Sequence, residues 1–323
     1  MIGYISTTND AAYNLATEEY FLKNRCEDIF FLYINEPSII AGKHQNILAE
    51  INFKAAKRLN LKIFRRLSGG GTVYHDLGNI NYCFILNTKE GRLINFRDHS
   101  LLIAEALEKL GLKPTIGKRN EINVNGFKVS GNASHVYKNR SLHHGTLLYS
   151  SDLNNLNECL NNNPNNYIDQ AVKSVKSEVT NISEQLQINM SIHEFTLQVF
   201  QLLTNDKQKP IKLTPTEDGI ISQLAENKYQ KWEWNFGYSP KFIIKKRISL
   251  PKKSGELWIE ITVEKGIITG IKCQSQNSFI ATLLEKKLHG ISHNPISIKQ
   301  EIDEELMTIF NTYEIEELID ELF

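Results

Sequence analysis

Asn9 and Asp10 precede Ala12, Leu15, Ala16 and Leu22, which recur at helical spacing. Short polar side chains ahead of such a run cap a helix, so the pattern predicts one starting just after Asp10. The unbroken apolar run IFFLYI (29–34) and the shorter PSIIAG (37–42) predict buried strands. A short helix is expected over 52–60, and LKIFRRL (61–67) reads as a strand running into three glycines. NINYCFIL (79–86) alternates as a further strand. Asp98 to Leu110 places Leu102, Ala106 and Leu110 on one helical face, stopped by Gly111.

EINVNGFKVSG (121–131) reads as a hairpin, because Asn125-Gly126 suits a turn whose two central residues both need φ > 0. HGTLLYSSDL (144–153) predicts another strand, and the asparagine-rich 157–166 predicts a surface loop. After about residue 240 the texture changes to PKFIIKKRISL, ELWIEITVEKGIITGIKCQS and a final stretch rich in Glu, Ile and Leu. These features give an α+β protein: a large mixed, mainly antiparallel sheet with packed helices over 1–240, and a small α+β C-terminal domain over 246–323. GYSPKF joins the two, and closure of the second over the first about this segment is an expectation.

Composition narrows the function. The 323 residues carry 37 Lys+Arg and 37 Asp+Glu, a formal net charge of zero, which argues against a coat for nucleic acid or an anionic membrane. Four dispersed cysteines without a CxxC pair predict reduced thiols. MIGYISTTNDAAYNL has no basic region ahead of an apolar run, and no stretch approaches ~20 apolar residues, so a soluble cytoplasmic protein is expected.

Candidate chemistry concentrates in two places. The first is RRLSGGGTVYHD (65–76). Tyr74 stands where a dinucleotide fold needs its third glycine, GLKPTIGKR (111–119) is one residue too long for a P-loop, and neither Ser68 nor Ser130 lies in GxSxG. Consecutive glycines can converge their N–H groups into an anion nest with Arg66 as a fixed fork, but a tight turn or an apolar ligand would also demand them. The second is GFKVSGNASHVYKNRSLHHGTLL (126–148), which offers Lys128 and the pair His143-His144. Adjacent side chains on a strand point to opposite faces, so only one of these histidines can face a site.

Together, NLATEEYFL, RRLSGGGTVYHDLGNINYCF, KVSGNAS, HHGTLLYSSDL and KYQKWEWNFGYSPKF resemble the lipoate–protein ligases of the biotin/lipoate ligase and octanoyltransferase group, in the longer form with a C-terminal domain. That resemblance implies a two-step reaction. Lipoate and ATP, usually with Mg²⁺, give lipoyl-AMP, and the lipoyl group passes to a lysine on a 2-oxoacid dehydrogenase E2 or glycine-cleavage H-protein carrier. It assigns nucleotide contacts to Arg66, Gly71, Thr72, Val73, Tyr74 and Lys128. It assigns the lipoate pocket to Ser68, Gly69, Gly70, Gly71, His75, Gly131, His144 and Gly145, and catalysis to Lys128. An apolar slot discriminates weakly between chains, so octanoate is expected as a poorer substrate.

The sequence departs from the family pattern at Glu121, where Asp is common, at Asn132 for a frequent Ser, and at His135 for a common Arg. Glu121 is the candidate metal ligand. Two alternatives stay open at this point. One is an ATP-independent transferase between carriers; members that work through an acyl-enzyme need a nucleophilic cysteine in the pocket, and none of Cys26, Cys83, Cys159 or Cys273 is expected beside the KVSG or HHGT segments. A non-catalytic acyl or nucleotide sensor would bind ligand without releasing AMP.

Overall fold

The computed structural model describes residues 1–88, 96–160, 166–204, 209–250, 255–302 and 312–323. The chain divides into two compact units: 1–43, 61–157 and 174–231 form the first, and 44–60, 158–173 and 232–323 the second.

In the first unit Asp10 caps helix α1 (Ala11–Asn24) by accepting the Tyr13 N–H. A five-stranded sheet follows the order β1 (Ile2–Ile5), β2 (Ile29–Ile34), β6 (Asn79–Asn87), β11 (Arg140–Leu148), β10 (Asn132–Tyr137). Only its β1–β2 pair is parallel. The second sheet places β3 (Ser38–Ala41) between β4 (Lys62–Arg65), parallel to it, and β5 (Val73–His75), antiparallel. The third sheet comprises β7 (Pro114–Ile116), β8 (Ile122–Val124) and β9 (Phe127–Ser130). At its hairpin Asn125 and Gly126 have φ of 53° and 86°, the left-handed pair that the sequence signal requires.

Phe30, Leu32, Tyr82, Phe84, Val129, Leu147, Phe195 and Phe200 build this unit's core with helices α3 (Phe96–Lys109) and α5 (Ile192–Thr204). Helix α6 (Pro215–Leu224) begins with a capping box of Thr214 and Glu217. It continues into a π-helical turn over Ala225–Tyr229.

The second unit is an antiparallel sheet, β12 (Tyr167–Asp169), β13 (Phe242–Leu250), β14 (Gly255–Glu264) and β15 (Ile267–Ser275). Its core includes Leu48, Tyr167, Ile244, Leu257, Ile261, Leu284 and Ile319. Helices α2 (Phe53–Arg58), α7 (Ser278–Leu288), α8 (Pro295–Glu301) and α9 (Thr312–Glu321) complete it, with α4 (Leu153–Cys159) leading in. Thus 44–60 and 158–173 associate with the C-terminal strands, through contacts with no periodic signature in the sequence.

The expected surface loop at 157–166 lies partly outside the described residues, and Cys159, at the end of α4, is fully buried. Part of the Glu-, Ile- and Leu-rich tail, 303–311, also lies outside them. Among the described residues no helix is long and apolar enough to cross a membrane.

Candidate active site

The chain leaves β4 at Arg65 and reaches β5 through the loop Arg66–Thr72, which Arg66 braces from within. Arg65 is fully buried and donates to the carbonyls of Gly42 and Lys43, both at 3.0 Å. Arg66 turns its guanidinium into the loop. Nε donates to Ser68 Oγ at 3.0 Å, one terminal nitrogen to the Ile40 carbonyl at 3.0 Å, and the other to the carbonyls of Gly69 (2.6 Å) and Gly71 (2.7 Å). Burial lowers its pKa to about 10, against the pull of Glu18 and Tyr33.

The three glycines differ in what surrounds them. Gly70 has φ +84°, a conformation that disfavours any side chain, and its hydrogen side faces Arg66 and Ala133. A Cβ on Gly71 would stand 2.9 Å from Ser174 Oγ. A Cβ on Gly69 would meet nothing within 4 Å.

Ser68 is fully buried, and its Oγ lies 2.6 Å from His144 Nε2. His144 Nδ1 in turn lies 2.8 Å from Glu18 Oε2 and 3.0 Å from Oε1. The order Ser–His–Glu resembles a nucleophilic triad, but Ser68 Oγ is capped by the Arg66 guanidinium and fully enclosed. His143 points the other way, to Ser134 Oγ at 2.7 Å and, stacked at 4.9 Å, to His99. The neighbouring histidines thus face opposite sides of β11, as strand geometry demands.

His75 accepts the Asn35 Nδ2–H at Nδ1, 3.0 Å away, which leaves Nε2 with the proton and without a protein partner among the described residues. Burial, then Arg66 and His144, push its pKa down to about 3, and burial first pushes His143 to about 3 as well. Both rings are therefore neutral in the folded chain but protonate below about pH 6.5 when unfolded. The stability they confer is complete above pH 6.5 and is lost as pH falls towards 3, by about 1.4 kcal/mol per pH unit for each ring. Thermal unfolding between pH 7 and 4 should accordingly show an acid-side fall in Tm that is shallower in His143→Gln than in the parent. Parallel slopes in the two proteins would contradict the assignment.

Lys128 lies on β9, half-buried, with a segment of chain alongside it: its N–H donates to the Glu178 carbonyl at 3.0 Å, and its carbonyl accepts the Thr180 N–H at 3.1 Å. The same segment reaches the glycine loop, where Ser174 Oγ accepts the Thr72 N–H at 2.9 Å. Residues 174–180 therefore tie the loop to Lys128. A Cβ on Gly131 would stand 3.3 Å from Lys128 Nζ, so the bare backbone there makes room for the ammonium. Gly145 is required for a different reason: a Cβ would lie 2.4 Å from the Tyr82 hydroxyl and 2.7 Å from the Gly131 carbonyl. Burial lowers the Lys128 pKa, opposed by Glu121 and assisted by Arg119.

Glu121 is turned towards its own turn. Its Oε2 accepts the Arg119 N–H at 2.8 Å, and Gly117 packs against its carboxylate. No group of three potential ligands that could hold a metal occurs among the described residues. Asn132 donates to Ser100 Oγ (3.2 Å) and to the Asn120 carbonyl, fastening this turn to α3 and β10.

Thr72 to His75 run into β5, where Val73 pairs with Ile40 and Tyr74 with Ile39. His135 has its pKa lowered by burial first and then by Lys43. The sequence did not single out Glu18, Asn35, Ser174 or the 178–180 backbone. NLATEEY carried the one available signal, an acid that lies 2 % exposed on the buried side of α1.

Cys83 needs a correction. Although distant in sequence from the HHGT segment, it is the register partner of His144 in the β6–β11 pair. Antiparallel pairing of non-local strands brings it there. Burial, then Glu18, hold its thiol well above the ordinary value, so it is a protonated core residue and not a nucleophile.

Residues 10–204 match the lipoyl protein ligase A/B catalytic domain family. The chain is 36% identical over 324 residues to lipoate–protein ligase 1 of Staphylococcus aureus, covering 98% of both chains. It is 38% identical over 270 residues to lipoate-protein ligase LplJ of Bacillus subtilis, covering 82% of this chain and 81% of that one. Among solved structures, P. falciparum LipL1 in complex with lipoate superposes with a TM-score of 0.61 at 25% identity, covering 98% of each chain.

Proposed function

This chain belongs to the lipoate–protein ligase family, and from that premise we propose that it joins lipoate and ATP into lipoyl-AMP and delivers the lipoyl group to a lysine of a carrier domain. The observation that carries the reading is the link between two halves of one site: a bare glycine loop braced from within by Arg66, and Lys128 tied to it by residues 174–180. The lipoate carboxylate attacks the α-phosphorus, its oxygen forms the new P–O bond, and pyrophosphate leaves with the electron pair of the broken bond. Charge grows on the phosphoryl oxygens, and the Lys128 ammonium, whose place is left free by Gly131, offsets it. In the second step the carrier amine attacks the acyl carbon, AMP leaves, and the amine loses its proton.

The acyl chain lies against the glycine loop, near Ser68, His75, His144 and Gly145. Since a Cβ on Gly69 would enter open space, Gly69→Ala should unfold with the parent's Tm to within a degree or two while raising the KM for lipoate about tenfold or more. An unchanged KM would place the chain elsewhere. Octanoate should be a poorer substrate that still reaches the carrier, because each methylene contributes only about 0.8 kcal/mol of apolar contact and a slot for such a chain discriminates weakly. Absence of octanoyl transfer at saturating octanoate would contradict this.

Mg²⁺ enters the reading only with the nucleotide. The Glu121 carboxylate is committed to its own turn and offers no built cation site, so no step is assigned to the metal. The carriers we propose are E2 domains of 2-oxoacid dehydrogenases and the glycine-cleavage H protein. The reaction belongs to residues 1–240, with 246–323 as an accessory domain.

A further inference from the structure

The hydrogen bonds around Ser68 have a direction. A carboxylate only accepts, so Glu18 requires the proton of His144 on Nδ1. With the ring singly protonated at Nδ1, Nε2 is an acceptor, so Ser68 Oγ accepts from the Arg66 Nε–H on a lone pair and donates its own proton to His144 Nε2. Arg66, thus fixed at Nε, holds the carbonyls of Gly69 and Gly71 with its other end. Tyr33 donates to Glu18 Oε1 at 2.9 Å and sets the orientation of the carboxylate. Every member is buried: Ser68 is 0 % exposed, Glu18 2 % and His144 6 %.

We infer that Glu18 is a positioning residue for the ligase reaction: from α1 it fixes the tautomer of His144 and, through Ser68 and Arg66, the shape of the glycine loop. Its carboxylate bonds to His144 and Tyr33. Without the carboxylate, His144 can carry its proton on Nε2. Ser68 Oγ can accept from both Nε2–H and the Arg66 Nε–H on its two lone pairs, and the conflict is that its own buried proton then loses its acceptor. Relief of that conflict moves the serine or the guanidinium, and either motion releases Gly69 or Gly71. This inference rests on the proposed ligase reading for its kinetic consequence, but the proton arrangement itself does not depend on that reading.

The test uses the full chain with ¹⁵N-labelled histidine, the His144 resonances being identified by their loss in His144→Gln. In the parent, His144 should be the Nδ1–H tautomer; an Nε2–H tautomer would overturn the inference even if every variant failed to fold. Glu18→Gln retains an acceptor for Nδ1–H and should keep both the tautomer and kcat/KM for lipoate to within about fivefold. Glu18→Leu fills similar space without an acceptor, and should lose the tautomer and at least tenfold in kcat/KM. Equal activities of the Gln and Leu variants would reduce Glu18 to packing and overturn the inference. His144 bonds both Glu18 and Ser68, so a relay also requires that Glu18→Leu/Ser68→Ala be no worse than the poorer single variant, to within about twofold. Fully multiplicative losses would contradict it. Failure of the parent to form lipoate-dependent AMP would instead remove the ligase reading, and the tautomer measurement would still decide on the relay.

Discussion

Lys128→Ala should form lipoyl-AMP at least ~100-fold more slowly than the parent, with little change in thermal stability. The size follows from the role. Losing one preorganised donor to a developing oxyanion typically costs about 2.7–4 kcal/mol in the transition state, and the carboxylate–phosphate encounter adds like-charge repulsion that only a cation relieves. The small stability effect follows from the structure: what fastens Lys128 to its surroundings is backbone, the bonds to Glu178 and Thr180, which alanine retains. Arginine at 128 keeps the charge but would press its larger head against Gly131, and should recover only part of the loss. Near-parental turnover in Lys128→Ala would remove this residue from the chemistry.

Arg66→Lys should be more damaging than a charge-conserving change suggests, and in a different way. The guanidinium bridges Ser68 Oγ and the carbonyls of Ile40, Gly69 and Gly71 simultaneously. An ammonium cannot span that set, and each buried carbonyl left without a donor costs about 1–3 kcal/mol. We expect about 3 kcal/mol of lost stability, which for a domain of this size lowers Tm by roughly 6–12 °C. Weakened binding of both lipoate and ATP should accompany it if, as proposed, the loop meets both ligands. In the sequence Arg66 reads as a fork for a nucleotide phosphate. In the folded chain its donors face the loop, so we propose that its main contribution is to shape the backbone that meets the ligand. A variant with parental Tm and KM values would show that the loop holds its form without it.

How far the sequence carried these conclusions depended on whether the relevant physics was local. The α1 cap at Asp10, the Asn125-Gly126 turn, the buried strand 29–34 and the opposed directions of His143 and His144 all follow from residues within a few positions of one another. The glycine run was visible as a place where side chains are excluded, and family resemblance gave it a purpose. What neither periodicity nor spacing could reveal was pairing across the chain. Cys83 beside His144 depends on the register of β6 against β11. Glu18 reaches His144 across 126 residues of sequence. The inclusion of 44–60 and 158–173 in the second unit depends on tertiary packing of segments that look like ordinary loops and a short helix. The π-helical turns at 225–229 and 233–237 likewise have no sequence period to announce them.

Three of the four cysteines, Cys83, Cys159 and Cys273, have their thiols pushed up by burial, and Cys26 is exposed. Burial works against an acyl-cysteine route at these three thiols. The adenylate route has AMP as its defining product. The most direct measurement is therefore AMP formation from ATP by the purified chain, with and without lipoate, before any carrier is added. Lipoate-dependent AMP, lost in Lys128→Ala, is the result expected. Absence of AMP together with acyl transfer from an already lipoylated or octanoylated carrier would contradict the account and make the protein a transferase.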